Sequence, residues 1–459
     1  MQSRRVSTTK RWAIPIVILL LASAMLSSCA NSKTVSLPRV IGKQDQLCNS
    51  GKGLHFSPSF GVLGSGATSS STSGLSLVPA NVVETKDGRT LLSFYPMDAA
   101  FDNGPVRTVS ATSRCTIDRS FGNHGFLEPS VSGASTPLTS YGLAQGRGGN
   151  FFVTSSKGQA WLVGEFTSNG NVDVNFGDRG WVTITLPGGA SGFEAGVTDL
   201  QVTRNGDVLL LGGNAQSHSL VQPYLYELNP NGSINTSFGD SGHVALFSTF
   251  VYAGSLLLQP DGMIVATGQY GGAGCYSMPF EWVSPSGYVQ STIDAKFNAS
   301  RPTAVTSQEF WGSIFLDPLG GVGIVGLAKT CNGSPSSASS EIQEFGPNGS
   351  PLHSFGRDGT VKISTPNPND FDFSATVLTD HDLVVESYEN ESSSVVSIRD
   401  FQENGRPVEK FGLHGIMKLK DPSLLTTYSA PSAVATVTQG DLGLVVPYNN
   451  GLTFEEIVG

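Results

Sequence analysis

Histidines at 55, 124, 218, 243, 353, 381 and 414 are the side chains of this chain best suited to ligate a metal or carry a proton. Zinc needs several ligands within about 2 Å of one centre. His124 and His414 instead occupy one slot of a repeated turn, and His243 lies next to it, so these residues are spread around a rim and read as solvated turn positions. No metal is expected. Asp178, Asp240 and Asp358 also sit at turns, each offering one or two oxygens where calcium takes roughly six to eight, and turn geometry already favours Asp there. No G-x-S-x-G elbow, H-E-x-x-H pair or EF-hand loop occurs. No catalytic residue is assigned and no cofactor is expected. Cys48, Cys115, Cys275 and Cys331 lack C-x-x-C spacing and suit disulfides in an oxidising compartment, with three pairings open.

The elements that position these residues come from a repeat. Phenylalanines recur at 60, 121, 176, 238, 297, 355 and 411, spaced by 61, 55, 62, 59, 58 and 56 residues. All but Phe297 open the string Phe-Gly-x-x-Gly, as in FGDRG at 176–180 and FGDSG at 238–242. A period near sixty is one supersecondary unit reused. In the third unit VTDLQVT (197–203) alternates like a strand, Asn205-Gly206 turns the chain, and VLLLGG (208–213) is a doubly covered apolar run. PYLYELN (223–229), a turn at Pro230–Ser233 and HVALF (243–247) complete four strands. The expected fold is all-β, a seven-bladed β-propeller of four-stranded antiparallel blades over 55–459. Each repeated Phe should wedge between adjacent blades.

The termini predict how the ring closes. Residues 430–459 supply three strands, SAVATVT, LGLVVPY and LTFEEIVG, and SFGVLG (59–64) stands before any complete unit. The N-terminal strand is therefore expected to close the C-terminal blade, with 58–66 beside 452–458. The unit containing Phe297, which keeps the aromatic and has lost both glycines, should have the least regular outer strand. The repeat register also favours Cys275–Cys331, in equivalent loops of neighbouring units, and Cys48–Cys115, stapling the lead to the ring.

The innermost strands should line a channel. Its candidate wall residues are Asn81, Thr198, Tyr252, Glu309, Trp311, Ser374 and Ser432. Of these Tyr252, Glu309 and Trp311, with Tyr276 in a long loop, are candidates for binding. The mixture is polar and aromatic, without a ring of carboxylates.

Arg4, Arg5, Lys10 and Arg11 precede the apolar run Ala13–Leu26, and Leu26-Ser27-Ser28-Cys29 follows. This resembles a bacterial lipoprotein signal over 1–28. The resemblance implies cleavage before Cys29, lipidation of its thiol, and a tether over 29–54. Four of the 27 basic residues and none of the 37 acidic ones lie in that segment, leaving 23 against 37 and a formal −14. Such a balance argues against nucleic acid and against docking on anionic lipid. Charged residues are 14% and glycines number 55, the usage of a turn-rich β protein.

Strings such as LNPNGSINTSFGDSGHVAL (228–246) and SLLLQPDGMIVATG (255–268) resemble the delta-60 repeat of bacterial surface and secreted proteins. That resemblance implies a propeller in an exported setting and carries no shared reaction. The expected function is a monomeric, non-enzymatic propeller, lipid-anchored on the outer side of a bacterial membrane, that binds a protein or glycan. The alternatives are an exported hydrolase or lyase with its site at the channel mouth, and a structural envelope component.

Overall fold

The computed structural model describes residues 35–36, 54–56, 76–85, 89–97, 107–112, 117–129, 142–157, 160–186, 195–217, 220–247, 251–272, 275–295, 313–317, 320–328, 339–363, 373–377, 381–389, 395–420, 433–436, 442–448 and 451–457. Consecutive strands pair antiparallel into local sheets. Sheet 3 takes Ala195–Val202, Val208–Ser217, Leu220–Leu228 and His243–Ala245 in that order. Sheets 1, 2, 4 and 5 repeat the plan over 76–127, 143–185, 251–295 and 313–363. The first strand of each sheet lies against the first strand of the next. The circuit closes where Ala433–Thr436 meets Ser76–Glu84. The molecule is an all-β propeller with four-stranded antiparallel blades.

Three expectations need correction. Six sheets have four strands, but sheet 6 (373–420) has five, because Val35–Ser36 pairs parallel with its outer strand, Val35 opposite Leu419 and Ser36 opposite Lys420. An outer edge presents unpaired N–H and C=O groups, and a passing extended segment can take them up. Part of the expected tether is therefore strand. The N-terminal lead closes sheet 7 as expected, but through Leu54–Phe56: Leu54 faces Phe454, His55 faces Thr453 and Phe56 faces Leu452. Residues 58–66, with Phe60, lie outside the described residues.

The third correction concerns sheet 4. Its outer strand, Val289–Ala295, forms directly after the turn at Ser284–Tyr288 and ends before Phe297. In sheets 1, 2, 3, 5 and 6 the fourth strand follows the Phe-Gly-x-x-Gly turn. Without the two glycines that such a turn needs, the chain pairs at once with Met278–Val283. Phe297 lies outside the described residues. Aromatic mass reaches this seam from Phe280 and Trp282, with the Phe280 ring 5.8 Å from that of Phe345 in sheet 5.

The core is divided among the seams between sheets. Phe121 is fully buried with Leu91 of sheet 1 and Phe151 and Val153 of sheet 2. Phe176 packs with Phe152 and with Val208 and Leu210 of sheet 3. Phe238 sits with Leu209 and Leu225 on one side and Leu256 and Ile264 on the other. Phe355 joins Val325 and Ile342 to Leu383 and Val385. Phe411 is only half-buried.

Candidate functional site

The repeated string builds a clasp. In FGDRG, Gly177 (φ +55), Arg179 (φ +54) and Gly180 (φ +94) are all left-handed. Gly180 N–H donates to Phe176 O at 2.8 Å and Asp178 N–H to Trp181 O at 2.8 Å, which folds the string into a tight loop. Gly177 N–H then reaches into the next blade and donates to Asn231 O at 2.9 Å. The same bond runs from Gly122 to Asn169 O (2.7 Å), from Gly239 to Ser286 O (2.9 Å) and from Gly356 to Asn404 O (2.9 Å). A Cβ on Gly177 would stand 2.3 Å from Trp181 O, and one on Gly232 in the facing turn 2.7 Å from Gly177 N. Glycine is thus required on both sides of the seam by close backbone approach.

Carboxylates form the second class of seam group, and sequence reasoning missed them. Asp199 follows a β-bulge in the innermost strand of sheet 3. The residue is partly covered but its carboxyl group is enclosed between strands. It accepts Leu256 N–H from sheet 4 at 2.8 Å and Leu200 N–H at 2.7 Å. Burial pushes it up to about 7, against those two hydrogen bonds. At the equivalent place in sheet 5, Ser313 Oγ accepts Ala375 N–H of sheet 6 at 3.3 Å.

A further carboxylate recurs near the end of the third strand, before an apolar residue: Glu165-Phe166, Glu227-Leu228, Glu344-Phe345 and Asp400-Phe401. Glu165 accepts from Asn150 Nδ2 at 2.9 Å, which also donates to Asp173 at 3.1 Å. Burial raises Glu165, and the Asp173 charge adds to it. Glu227 is raised by burial and by Asp207, and accepts from Asn235 Nδ2. In sheet 4, Glu281 is raised by burial while accepting Phe247 N–H at 3.0 Å and the Thr292 hydroxyl at 3.2 Å. Glu344 is pushed up to about 8 by burial, then by Asp317 and by Glu403 of the next sheet. Asp118 shows the opposite balance. Burial raises it, but hydrogen bonds from Ser120 and from Arg89, 3.2 Å away, outweigh that and hold it below the ordinary carboxylate range. The only sequence signal for these groups is the acid-then-apolar pair at a fixed place in each repeat.

Of the residues singled out from sequence, the described structure covers only some. Thr198 is exposed at the bulge, donating to Leu211 O at 3.3 Å. Asn81 faces Ser93, Tyr252 faces Gln269, Tyr276 faces Gly271 and Ser374 faces Glu386 along their strands, with no described side chains of their own. Glu309, Trp311 and Ser432 lie outside the described residues, as do Cys29, Cys48, Cys115 and Cys331. Of Cys275 only the backbone is described. His124 and His414 share the left-handed slot at φ +55 and +53 and are exposed. His243 stacks on Tyr226, centroids 5.0 Å apart. Among the described residues no three His, Cys, Asp or Glu side chains are grouped to hold a metal, and no helix is long and apolar enough to cross a membrane.

No family model matches the chain, and no curated protein matches it. Among solved structures it is similar to the polysaccharide lyase Uly1, at 9% identity over 82% of this chain and 89% of that one, with a TM-score of 0.46. It is similar to extracellular domains 1-2 of Drosophila Semaphorin 1a, at 10% identity over 83% and 86%, TM-score 0.43. An alpha-L-arabinofuranosidase from Fusarium graminearum is 9% identical over 70% and 92%, TM-score 0.40. A polysaccharide lyase, an arabinofuranosidase and a pair of extracellular domains at such distances leave the activity to be argued from this chain's own residues.

Proposed function

We propose that this chain is a rigid, non-catalytic propeller scaffold that offers its loop-bearing face to a protein or glycan partner. It is held on the outer side of a bacterial membrane by lipid on Cys29. It has seven blades, counting the five-stranded sheet as one and the sheet closed by Leu54–Phe56 as another. One observation carries the reading. The carboxylates with displaced pKa values other than Glu344, which would otherwise mark a reactive centre, are taken up by hydrogen bonds within a blade or across a seam. Asp199 ties two innermost strands through Leu256 N–H, Glu281 holds Phe247 N–H, and Glu165 is held by Asn150. Asp199 and Glu281 are committed to backbone donors and Glu165 to a side-chain amide, and groups held in this way support rigidity. The test is capture of a partner from envelope extracts by the purified lipidated protein, repeated after residues 329–338 are replaced by a short Gly-Ser turn. Loss of the partner with an unchanged melting profile supports the scaffold. Equal capture by both proteins removes that loop from the binding face.

A second reading, an exported hydrolase or lyase, is favoured by Glu344 and Asp317. A carboxyl group held protonated near neutrality by burial, with a neighbouring acid adding to it, is the arrangement of an acid–base pair. The pair lies on the hairpin-turn side of sheet 5, with Asp317 directly after the innermost strand Ser313–Leu316. Release of oligosaccharides from a panel of acidic and neutral polysaccharides, lost in Glu344→Gln, would establish this reading. No release would leave the scaffold.

A further inference from the structure

The acidic balance of the chain is not spread evenly around the ring. From the start of the third strand to the end of the fourth, sheets 2, 3 and 4 each carry two more acids than bases and sheet 5 one more, while sheet 1 carries Arg107, Arg114 and Arg119 against Asp118, with Arg107 buried. Sheet 6 over 395–420 carries five bases, Arg399, Arg406, Lys410, Lys418 and Lys420, against three acids, Asp400, Glu403 and Glu409. Arg399 and Asp400 are buried, whereas Arg406, Lys410 and Lys418 are exposed. Glu403 is exposed as well, and Glu409 lies 3.3 Å from His414 Nδ1. Among these bases, at the tip of FGLHG, Leu413 is 52% exposed. An apolar side chain flanked by long cationic ones suits the boundary of an anionic bilayer, where the apolar group enters the headgroup layer and the cations meet phosphates.

The path of the lead points to the same edge. Val35–Ser36 runs parallel to Ile416–Lys420, and that strand runs away from the Phe411–Gly415 turn. A chain entering Val35 therefore arrives from the turn side of sheet 6. Five residues separate Cys29 from Val35, a reach of at most about 20 Å. A lipid on Cys29 would therefore be held within that reach of the outer edge of sheet 6, on which this turn lies.

We infer that the hairpin-turn side of sheet 6 is the membrane-facing surface of the protein, with Leu413 in the headgroup layer and Arg406, Lys410 and Lys418 on anionic phospholipid phosphates. This rests on the lipid anchor proposed above and adds an orientation to it. The second-to-third-strand loops emerge on the opposite face and are held outward, where a partner can reach them. The overall −14 argues against anionic lipid for the molecule as a whole but weighs little at this turn, because exposed charges act within about a Debye length of roughly 8–10 Å and the acids of sheets 2 to 4 lie on other blades.

The experiment uses the full lipidated protein in phosphatidylglycerol-rich vesicles, in phosphatidylcholine vesicles and in detergent. Lysine acylation is read by peptide mass spectrometry, and the mass of the N-terminal peptide reports whether Cys29 is lipidated. Lys410 should react roughly fivefold more slowly in phosphatidylglycerol vesicles than in detergent, the factor given by about 1 kcal/mol per base near an anionic surface. Lys362 of sheet 5 should react equally in both. Protection of Lys410 should fall in the Leu413→Ser/Arg406→Gln variant, both changes being on exposed turn positions. An unlipidated Cys29 overturns the anchor and the orientation with it. A lipidated Cys29 with Lys410 equally reactive in all three media overturns the orientation alone.

Discussion

Replacing Asp199 by Asn tests the claim that a seam carboxylate is ionised at a cost. The ordinary value of 3.8 rises to about 7 in the fold because the carboxyl group is enclosed between sheets 3 and 4. A shift of about three units corresponds to about 4 kcal/mol, at about 1.4 kcal/mol per unit. Between about pH 4 and pH 7 the folded protein holds a proton that the unfolded chain has released. The contribution of Asp199 to stability therefore falls as pH rises through that window and stays low above it. Asn cannot ionise. It keeps one oxygen for Leu256 N–H and loses the second acceptor used by Leu200 N–H, a deficit of about 1 kcal/mol. Asp199→Asn should then be less stable than the parent by about 1 kcal/mol near pH 4 and more stable by up to about 3 kcal/mol at pH 8. Urea midpoints for both proteins, followed through the buried Trp161 and Trp282 and compared pH by pH, give this difference free of the other carboxylates. A difference that stays constant from pH 4 to 8 would refute the reasoning.

Three other outcomes follow from the same seams. Gly177→Ala places a Cβ 2.3 Å from Trp181 O at a residue with φ +55 and should cost about 2–4 kcal/mol. Gly196→Ala meets nothing within 4 Å and should stay within about 0.5 kcal/mol of the parent in the same denaturation assay. Phe238→Ala empties a fully buried site and should cost about 3–5 kcal/mol; Phe411→Ala, at a half-buried site, should cost clearly less, and equal losses would contradict the packing described. Glu344, raised from 4.5 to about 8 by burial and then by Asp317 and Glu403, should make Glu344→Gln gain on the parent as pH climbs from about 4.5 to 8. A variant that loses ground over that range would show Glu344 to be stabilised as the anion.

Much of the fold was legible because its determinants are local. Asn205-Gly206 and Pro230–Ser233 announced turns, and the turns form with Gly206 at φ +93 and Gly232 at φ +84, each a left-handed glycine closing a short loop. The strands VLLLGG and PYLYELN fell where Val208–Ser217 and Leu220–Leu228 pair. The N-terminal lead was harder to read. Several extended stretches in it could pair with an open edge, and nothing in SFGVLG or in Leu54–Phe56 ranks one above the other before the edge exists. Sheet 4 was misread for the opposite reason. The repeat implied an order of turn and strand that the missing glycines forbid. The Asn and Glu of a blade, such as Asn150 and Glu165, stand 15 residues apart, and their pairing depends on two strands lying side by side.

The recurring Phe-Gly-x-x-Gly shows the division most plainly. Sequence alone determined its spacing, its glycines and the unit it repeats, because left-handed backbone and a buried aromatic leave their mark in residue type. Only the tertiary structure decided that Gly177 N–H crosses to Asn231 O in the next blade and that the Asp199 carboxylate crosses to Leu256 N–H. Both bonds join residues more than fifty positions apart, and such pairs meet only after the ring has closed.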